Sequence, residues 1–155
     1  MRRGLALALA VLALLAAPRI LHVLSTHLFA LDLLAPGWVP TVHSVGRDRV
    51  ALDSTTADLY RPGGPRRGAL VLVPGLSRQG KDHPAFQRLA KSLARAGFLV
   101  LAPDFPGLRA FHVSEGDVQT IVRSVQVLRA DAGDPIGLLG FSFGAGPALL
   151  AAADP

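Results

Sequence analysis

A serine flanked by glycines is the feature of the sequence with the clearest chemical potential. Residues 140–144 read GFSFG, so Ser142 lies two positions from both Gly140 and Gly144. A sharp turn from a strand into a helix can present such a serine at the edge of a sheet as a nucleophile. Glycine is needed at both flanking positions because side chains there would collide across the turn. The pattern predicts a nucleophile at Ser142, and an ordinary serine in a glycine-rich turn is the alternative.

Two backbone N–H groups are the predicted partners of this serine. Attack on a carbonyl produces an oxyanion, which needs preorganised hydrogen-bond donors. In a site of this type one donor belongs to the residue after the nucleophile and the other to the loop after the first buried strand. By position these are the N–H groups of Phe143 and Leu76. The helix behind Ser142 would add the positive end of its dipole. A plain strand-end turn at Leu76 is the alternative.

Alternating strands and helices are expected to position these residues. Three continuous apolar runs are typical of strands buried on both faces, and they occupy residues 69–73, 98–102 and 136–139. Two earlier β-compatible stretches, expected to pair with each other, occupy residues 45–52 and 57–60. Helical spacing of apolar residues predicts helices over about 84–96, from Ser114 onward and over 145–153. The alternation predicts an α/β fold, with three α/β/α layers around a mostly parallel sheet.

Several residues mark where the predicted helices begin and end. Ser114 is followed three residues later by Asp117, which approximates a capping box at a helix N-terminus. Gly97 follows the helix predicted over 84–96 and suits a C-terminal cap. These residues set the boundaries of the expected helices.

The first 40 residues form a separate hydrophobic segment ahead of the domain of residues 41–155. Arg2 and Arg3 precede a run from Gly4 to Ala17 without a single polar side chain. A helix continued to Leu24 would reach about 30 Å at ~1.5 Å per residue, enough to cross a bilayer. The arginines would hold the N-terminus in the cytoplasm and place the domain outside it, in the periplasm or the extracellular space. We therefore expect residues 4–24 to be a membrane anchor.

Two other interpretations of this segment remain open. A charged start followed by an apolar stretch is also typical of a secretory signal, whose cleavage would release a secreted protein. The small residues with A-x-A spacing, however, lie inside the apolar run and not at its end. The third interpretation is a hydrophobic helix that packs on the domain of the same chain.

Composition excludes several classes of site. The chain has no cysteine, which removes disulfides, thiolate metal sites and a cysteine nucleophile. The net charge of +5 is spread over single arginines and pairs such as Arg66-Arg67, without the clustered basic face typical of nucleic-acid binding. No histidine pair has ligand spacing, and no glycine loop of the phosphate-binding type is present. We expect no metal, no cofactor and no nucleic-acid partner.

Taken together, these segments resemble the α/β-hydrolase superfamily, especially its dienelactone-hydrolase-like and esterase-like members. The resemblance covers roughly residues 45–155 and is carried by LVLVPG at 70–75, FQRLAKSLARAGF at 86–98, VLAPDFPG at 100–107 and GFSFGAGPALLAAADP at 140–155. Two departures stand out. Pro74 occupies a position where a histidine is common, and Ser142 stands where many dienelactone-type members have cysteine.

The resemblance implies a serine hydrolase that cleaves a carboxylic ester of a small-molecule acyl substrate through an acyl-enzyme on Ser142. It also implies a triad in the order serine, acid, histidine, which places the acid and the histidine after residue 155. Asp104, His83 and His112 are weaker candidates inside the chain, because such residues are more typical of structural turns and loops. We therefore expect the N-terminal portion of a longer enzyme, with little activity by itself.

The same motif leaves other functions open. An acyltransferase, a thioesterase or a peptidase would use the same nucleophile on the same fold. A non-catalytic, membrane-associated binding protein is a further alternative, because a fold does not fix a function.

Overall fold

The computed structural model describes residues 16–18, 23–35 and 44–153. The chain divides into two compact units, Met1–Pro40 and Thr41–Pro155. In the first unit, residues 16–18 and 23–34 are helical. Within the described residues, no helix combines the length and the apolar character needed to cross a membrane. Most of the expected anchor, residues 4–24, lies outside the described residues, so the anchor, signal and self-packing interpretations all stay predictions.

Five strands form one sheet in the second unit. They are β1 (Val45–Leu52), β2 (Thr55–Pro62), β3 (Gly68–Val73), β4 (Phe98–Pro103) and β5 (Ile136–Gly140). Their order across the sheet is β1-β2-β4-β3-β5. β2 pairs antiparallel with β1 and with β4, whereas β3 pairs parallel with β4 and with β5.

The sheet is therefore mixed, with antiparallel as well as parallel strand pairs. This corrects the expectation of a mostly parallel sheet. Only Asp53 and Ser54 separate β1 from β2, and so short a connection can join only antiparallel strands. β2 then lies beside β4, so it alone runs against the other four strands. The carboxyl ends of β3, β4 and β5 meet at one edge of the sheet, where Ser142 lies.

Four helices accompany the sheet, namely α1 (Pro84–Arg95), α2 (Pro106–Arg109), α3 (Glu115–Ala132) and α4 (Ala145–Ala153). Single turns of 3-10 helix occur at Gly80–Asp82 and Ser142–Gly144. The helices predicted from periodicity are present, with boundaries that agree to within about a residue. α2 and the two 3-10 turns were not predicted, because a segment of three or four residues is too short to show a helical period.

The alternation of side chains along the strands separates the two faces of the sheet. On one face Leu59, Val71 and Leu101 pack in a core cluster with Ile121 and Leu128 of α3. α1 packs against β2 and β4, and its buried residues do not belong to that cluster. Helices thus cover both faces, and the layers are α/β/α as expected.

Candidate active site

Ser142 lies at a sharp bend between β5 and α4. Its φ is +50°, a left-handed conformation that is uncommon and strained for a residue with a side chain. Ser142 opens the 3-10 turn that leads into α4, and the Gly144 N–H donates to the Phe141 carbonyl oxygen at 2.8 Å. Ser142 is exposed. The bend therefore presents this serine to solvent at the carboxyl end of β5.

Both flanking glycines are required by the space around them, for two different reasons. A Cβ atom on Gly140 would lie 2.8 Å from the Ala145 Cα, so a side chain there would strike the start of α4 across the turn. A Cβ atom on Gly144 would collide with the Pro74 carbonyl oxygen. The expected collision across the turn thus applies to Gly140, whereas Gly144 is needed because the loop after β3 passes against it.

The loop after β3 meets the bend directly. The Phe141 N–H donates to the Val73 carbonyl oxygen at 3.0 Å. A Cβ atom on Gly75 would lie 3.2 Å from the Ser142 Cβ and 3.8 Å from its Oγ, so the Gly75 backbone is in contact with the serine. Leu76 follows immediately. The two segments that carry the expected donors are therefore brought together at Ser142.

Main-chain hydrogen bonds of turns, loops and caps occur throughout the described part of the domain, residues 44–153. In none of them is the N–H group of Leu76 or Phe143 the donor. One belongs to the loop after β3 and the other to the 3-10 turn that Ser142 opens. α4 begins directly behind that turn, so the positive end of its dipole lies near the same point. The two expected donors thus belong to the segments that meet at Ser142, and their role as donors to an oxyanion stays a prediction.

Aromatic side chains flank the serine. Phe143 is 61% exposed and Phe141 36% exposed. The ring of Phe141 meets the ring of Phe86 in α1 edge to face, with centroids 6.2 Å apart. The serine thus lies in a partly apolar surface, which suits an apolar group better than a charged one.

Two of the three weaker triad candidates, Asp104 and His83, have hydrogen-bond partners other than Ser142. The Asp104 carboxylate accepts a hydrogen bond from Arg109 Nη1 at 3.0 Å. The His83 Nδ1 accepts from the Ala85 N–H at 3.2 Å and caps α1, while His112 is exposed in the loop after α2. Over residues 44–153, no hydrogen bond joins the Ser142 hydroxyl to a carboxylate or an imidazole. The structure does not bring these residues together with Ser142.

One buried group near the site was missed by sequence reasoning. The Lys81 side chain is 3% exposed, and its Nζ donates to Asp58 Oδ2 at 3.1 Å and to Asp82 Oδ1 at 3.0 Å. Asp58 is buried in β2 and also accepts from Arg47 at 2.6 Å. A lysine in the polar stretch RQGKDH looks solvated in the sequence, and nothing there indicates its partner 23 residues earlier.

Comparison with known proteins adds to this geometry. The sequence matches the alpha/beta hydrolase family over residues 70–155. A dienelactone hydrolase from Anabaena variabilis ATCC 29413 shares 24% identity at a TM-score of 0.57, covering 72% of this chain and 58% of that one. Brefeldin A esterase, a bacterial homologue of human hormone-sensitive lipase, shares 20% identity at a TM-score of 0.60. The match covers 76% of this chain and 37% of the esterase. No curated protein matches significantly. The chain spans less than two thirds of the length of either solved structure, and the likeness to them is one of fold.

Proposed function

The chain belongs to the alpha/beta hydrolase family, and from that premise we propose that it hydrolyses a carboxylic ester through an acyl-enzyme on Ser142. The observation that carries the proposal is the strained, exposed serine at φ +50° in direct contact with the loop after β3. Strain of this kind costs of order 1–3 kcal/mol and is concentrated at functional sites. Asp53 and Phe111 also have positive φ, and the strain supports a chemical role for Ser142 because the serine also stands between the two required glycines.

In the proposed reaction the Ser142 oxygen attacks the ester carbonyl carbon and a tetrahedral oxyanion forms. The N–H groups of Leu76 and Phe143 are the proposed donors to that oxyanion. Its collapse breaks the bond to the alkoxide, which leaves as the alcohol by taking the proton that the serine gave up, and an ester between the acyl group and Ser142 remains. Water then attacks this ester and releases the acid and the free serine.

We assign the base that takes the serine proton, and the acid that orients it, to sequence following residue 155 in the whole protein. Support comes from the described domain, residues 44–153, where Asp104 and His83 are bonded elsewhere. The coverage of the two solved structures, 58% and 37%, agrees with this assignment. A hydroxyl without a base is a weak nucleophile at neutral pH, so residues 1–155 alone are expected to be nearly inactive.

Labelling with a fluorophosphonate probe tests the proposal in the full-length protein. The wild type should be labelled, and Ser142→Ala should lose the label completely because the phosphonylated oxygen is gone. Ser54→Ala is the matched control, since Ser54 is also exposed in a turn but lies between β1 and β2. Labelling that persists in Ser142→Ala would remove this serine from the mechanism.

A further inference from the structure

The loop after β3 is attached to the sheet through a buried ion pair. Lys81 belongs to the 3-10 turn Gly80–Asp82, and its ammonium group bonds to Asp58 in β2. β4 lies between β2 and β3 in the sheet. Lys81 therefore ties the segment that follows β3 to a strand two positions away, across β4.

A second attachment holds the same segment from α2. Arg109 Nε donates to the Arg78 carbonyl oxygen at 3.0 Å, and the Ser77 N–H donates to the Leu108 carbonyl oxygen at 3.3 Å. Gly80, at φ +51°, packs on Arg109, because a Cβ atom there would lie 2.9 Å from the Arg109 Cγ. Residues 77–81 are thus bonded both to β2 and to α2.

The buried ammonium group of Lys81 can hold its part of the chain in one fixed position. Arginine is the usual residue for buried ion pairs, and the chain is rich in it, yet one of its two lysines occupies this position. Its compact ammonium group bonds to the carboxylates of both Asp58 and Asp82, which the Arg47 guanidinium also approaches from a more exposed position. Buried ion pairs add little net stability, but they allow few alternative geometries, because a displaced charge stays desolvated and unpaired.

We propose that Lys81 is a positioning residue for the oxyanion site, acting through Asp58 to hold the Leu76 N–H at Ser142. The inference rests on the proposed function. Leu76 lies between Gly75, which touches Ser142, and Ser77, which is bonded to α2. Loss of the Lys81 bond removes one of the two attachments of the segment after Leu76 and lets the Leu76 N–H move, while the attachment to α2 and the bend at Ser142 stay in place.

Lys81→Met in the full-length protein tests this, since it keeps the length of the side chain, removes the charge and leaves Asp58 paired with Arg47. The expected result is a fluorophosphonate labelling rate and a kcat about tenfold lower at unchanged KM, because a misplaced donor weakens only transition-state binding. Lys91→Met is the matched control, as Lys91 is exposed on α1. A labelling rate equal to that of the wild type would overturn the proposal.

Hydrogen exchange of residues 74–83 provides a measurement that does not depend on activity. In Lys81→Met the Ser77 and Gly80 amides, which donate to the Leu108 and Ser77 carbonyls, should exchange about tenfold faster. The amides of residues 99–102 in β4 should keep their wild-type rates. Faster exchange in both segments would show general destabilisation and would contradict a positioning role. Unchanged exchange in residues 74–83 would also contradict a positioning role.

The two measurements separate this inference from the proposed function. A wild-type protein that resists labelling refutes the proposed function, while the exchange rates still decide whether Lys81 holds the loop. If Lys81→Met does not fold, Asp82→Asn tests the same attachment, because Asp82 is half exposed and accepts from Lys81. Its effects should be smaller and in the same direction, and wild-type behaviour in both assays would overturn the inference.

Discussion

Tyr60 belongs to β2, and its side chain is buried. Among the described residues its hydroxyl has no hydrogen-bond partner. The Arg47 guanidinium lies over its ring, 5.6 Å from the centroid. Burial raises the pKa of Tyr60 to about 12 from its ordinary value of 10.0. A buried polar atom without a partner costs about 1–3 kcal/mol. The unpaired hydroxyl, but not the buried ring, thus reduces the stability of the sheet that carries the site.

Tyr60→Phe should raise the free energy of unfolding at pH 7 by about 1 kcal/mol, because it removes the unpaired hydroxyl and keeps the ring under Arg47. Since the pKa is higher in the folded state, the unfolded chain loses this proton first as the pH rises above 10, and folding loses stability up to about pH 12. Tyr60 is the single tyrosine of the chain, so the variant should lose the tyrosine part of this alkaline decline. Urea unfolding at pH 7 and pH 11 measures both effects. A variant less stable than the wild type at pH 7 would show that the hydroxyl has a partner.

A single residue could be predicted from the sequence where its immediate neighbours in the chain determine why it is needed. The requirement at Gly140 could be predicted from residues 140–144 because the turn itself sets it, whereas the reason for Gly144, the loop after β3, is not local. Lys81 could not be found, because its burial depends on Asp58, and the two are adjacent only after β2 has taken its place beside β4. The sequence therefore indicates the proposed nucleophile, which depends on neighbouring residues, but not its proposed support, which depends on strand pairing.

The start of α3 shows an element defined by its own sequence. The Ser114 hydroxyl donates to Asp117 Oδ2 at 2.9 Å, and the Ser114 N–H donates to the same oxygen at 2.7 Å. Asp117 is buried, and a Cβ atom on Gly107 would lie 2.7 Å from its Oδ2. The capping interaction predicted from the sequence is confirmed, and it also packs α2 against the start of α3.

Ser114→Ala should lower the free energy of unfolding by about 1 kcal/mol, because it removes the hydroxyl from the cap of α3. In a domain of this size that corresponds to a Tm lower by about 3 °C. Thermal unfolding followed by circular dichroism measures the change. Ser114→Thr keeps a hydroxyl and should stay near the wild type, and equal Tm values for the alanine and threonine variants would contradict a role for the cap.

Most element boundaries could be predicted to within about a residue, whereas β2, expected over 57–60, extends two residues further at each end. Pro84 begins α1, and Gly97 follows it at φ +98°. What could not be predicted is the place of β2 in the sheet, because strand order depends on pairing between segments far apart in the chain. The pairing of β1 with β2 was expected from two β-compatible stretches separated by Asp53 and Ser54, while the position of β2 next to β4 was not.

At the scale of the whole molecule, charge pairs join separate elements. Burial raises the pKa of Asp58, but hydrogen bonds from Arg47 and Lys81 outweigh it and hold that pKa below its ordinary value of 3.8. Hydrogen bonds, first from Arg61 and then from Arg66, lower the pKa of Asp131 despite its partial burial. Both carboxylates therefore favour folding in their charged form.

The pH dependence of stability follows with a definite sign. Because the folded pKa of Asp58 lies below 3.8, its contribution is complete above about pH 4 and is lost as the pH falls through 3.8 and then through the folded value. Asp58→Asn should lower the free energy of unfolding at pH 7 by about 3 kcal/mol and flatten this acid decline. Urea unfolding at pH 7, 5, 4 and 3 measures both.

Asp53→Asn is the matched control for this prediction. Asp53 lies in the exposed turn between β1 and β2 at φ +33°, a conformation that asparagine also tolerates, and its ion pair with Arg123 lies in solvent. This variant should follow the wild-type pH curve. A decline of equal steepness in Asp58→Asn and the wild type would show that other carboxylates govern acid unfolding.

The bond from the Phe141 N–H to the Val73 carbonyl has a consequence for the order of events during synthesis. It joins positions far apart in the chain, and the close approach of Gly144 to Pro74 depends on the same pairing of β3 with β5. Contacts between distant positions form late, after the entropy of closing the intervening loop has been overcome. A nascent chain leaving the ribosome therefore has an ordinary, relaxed serine at position 142, and only a completed sheet converts it into a strained one.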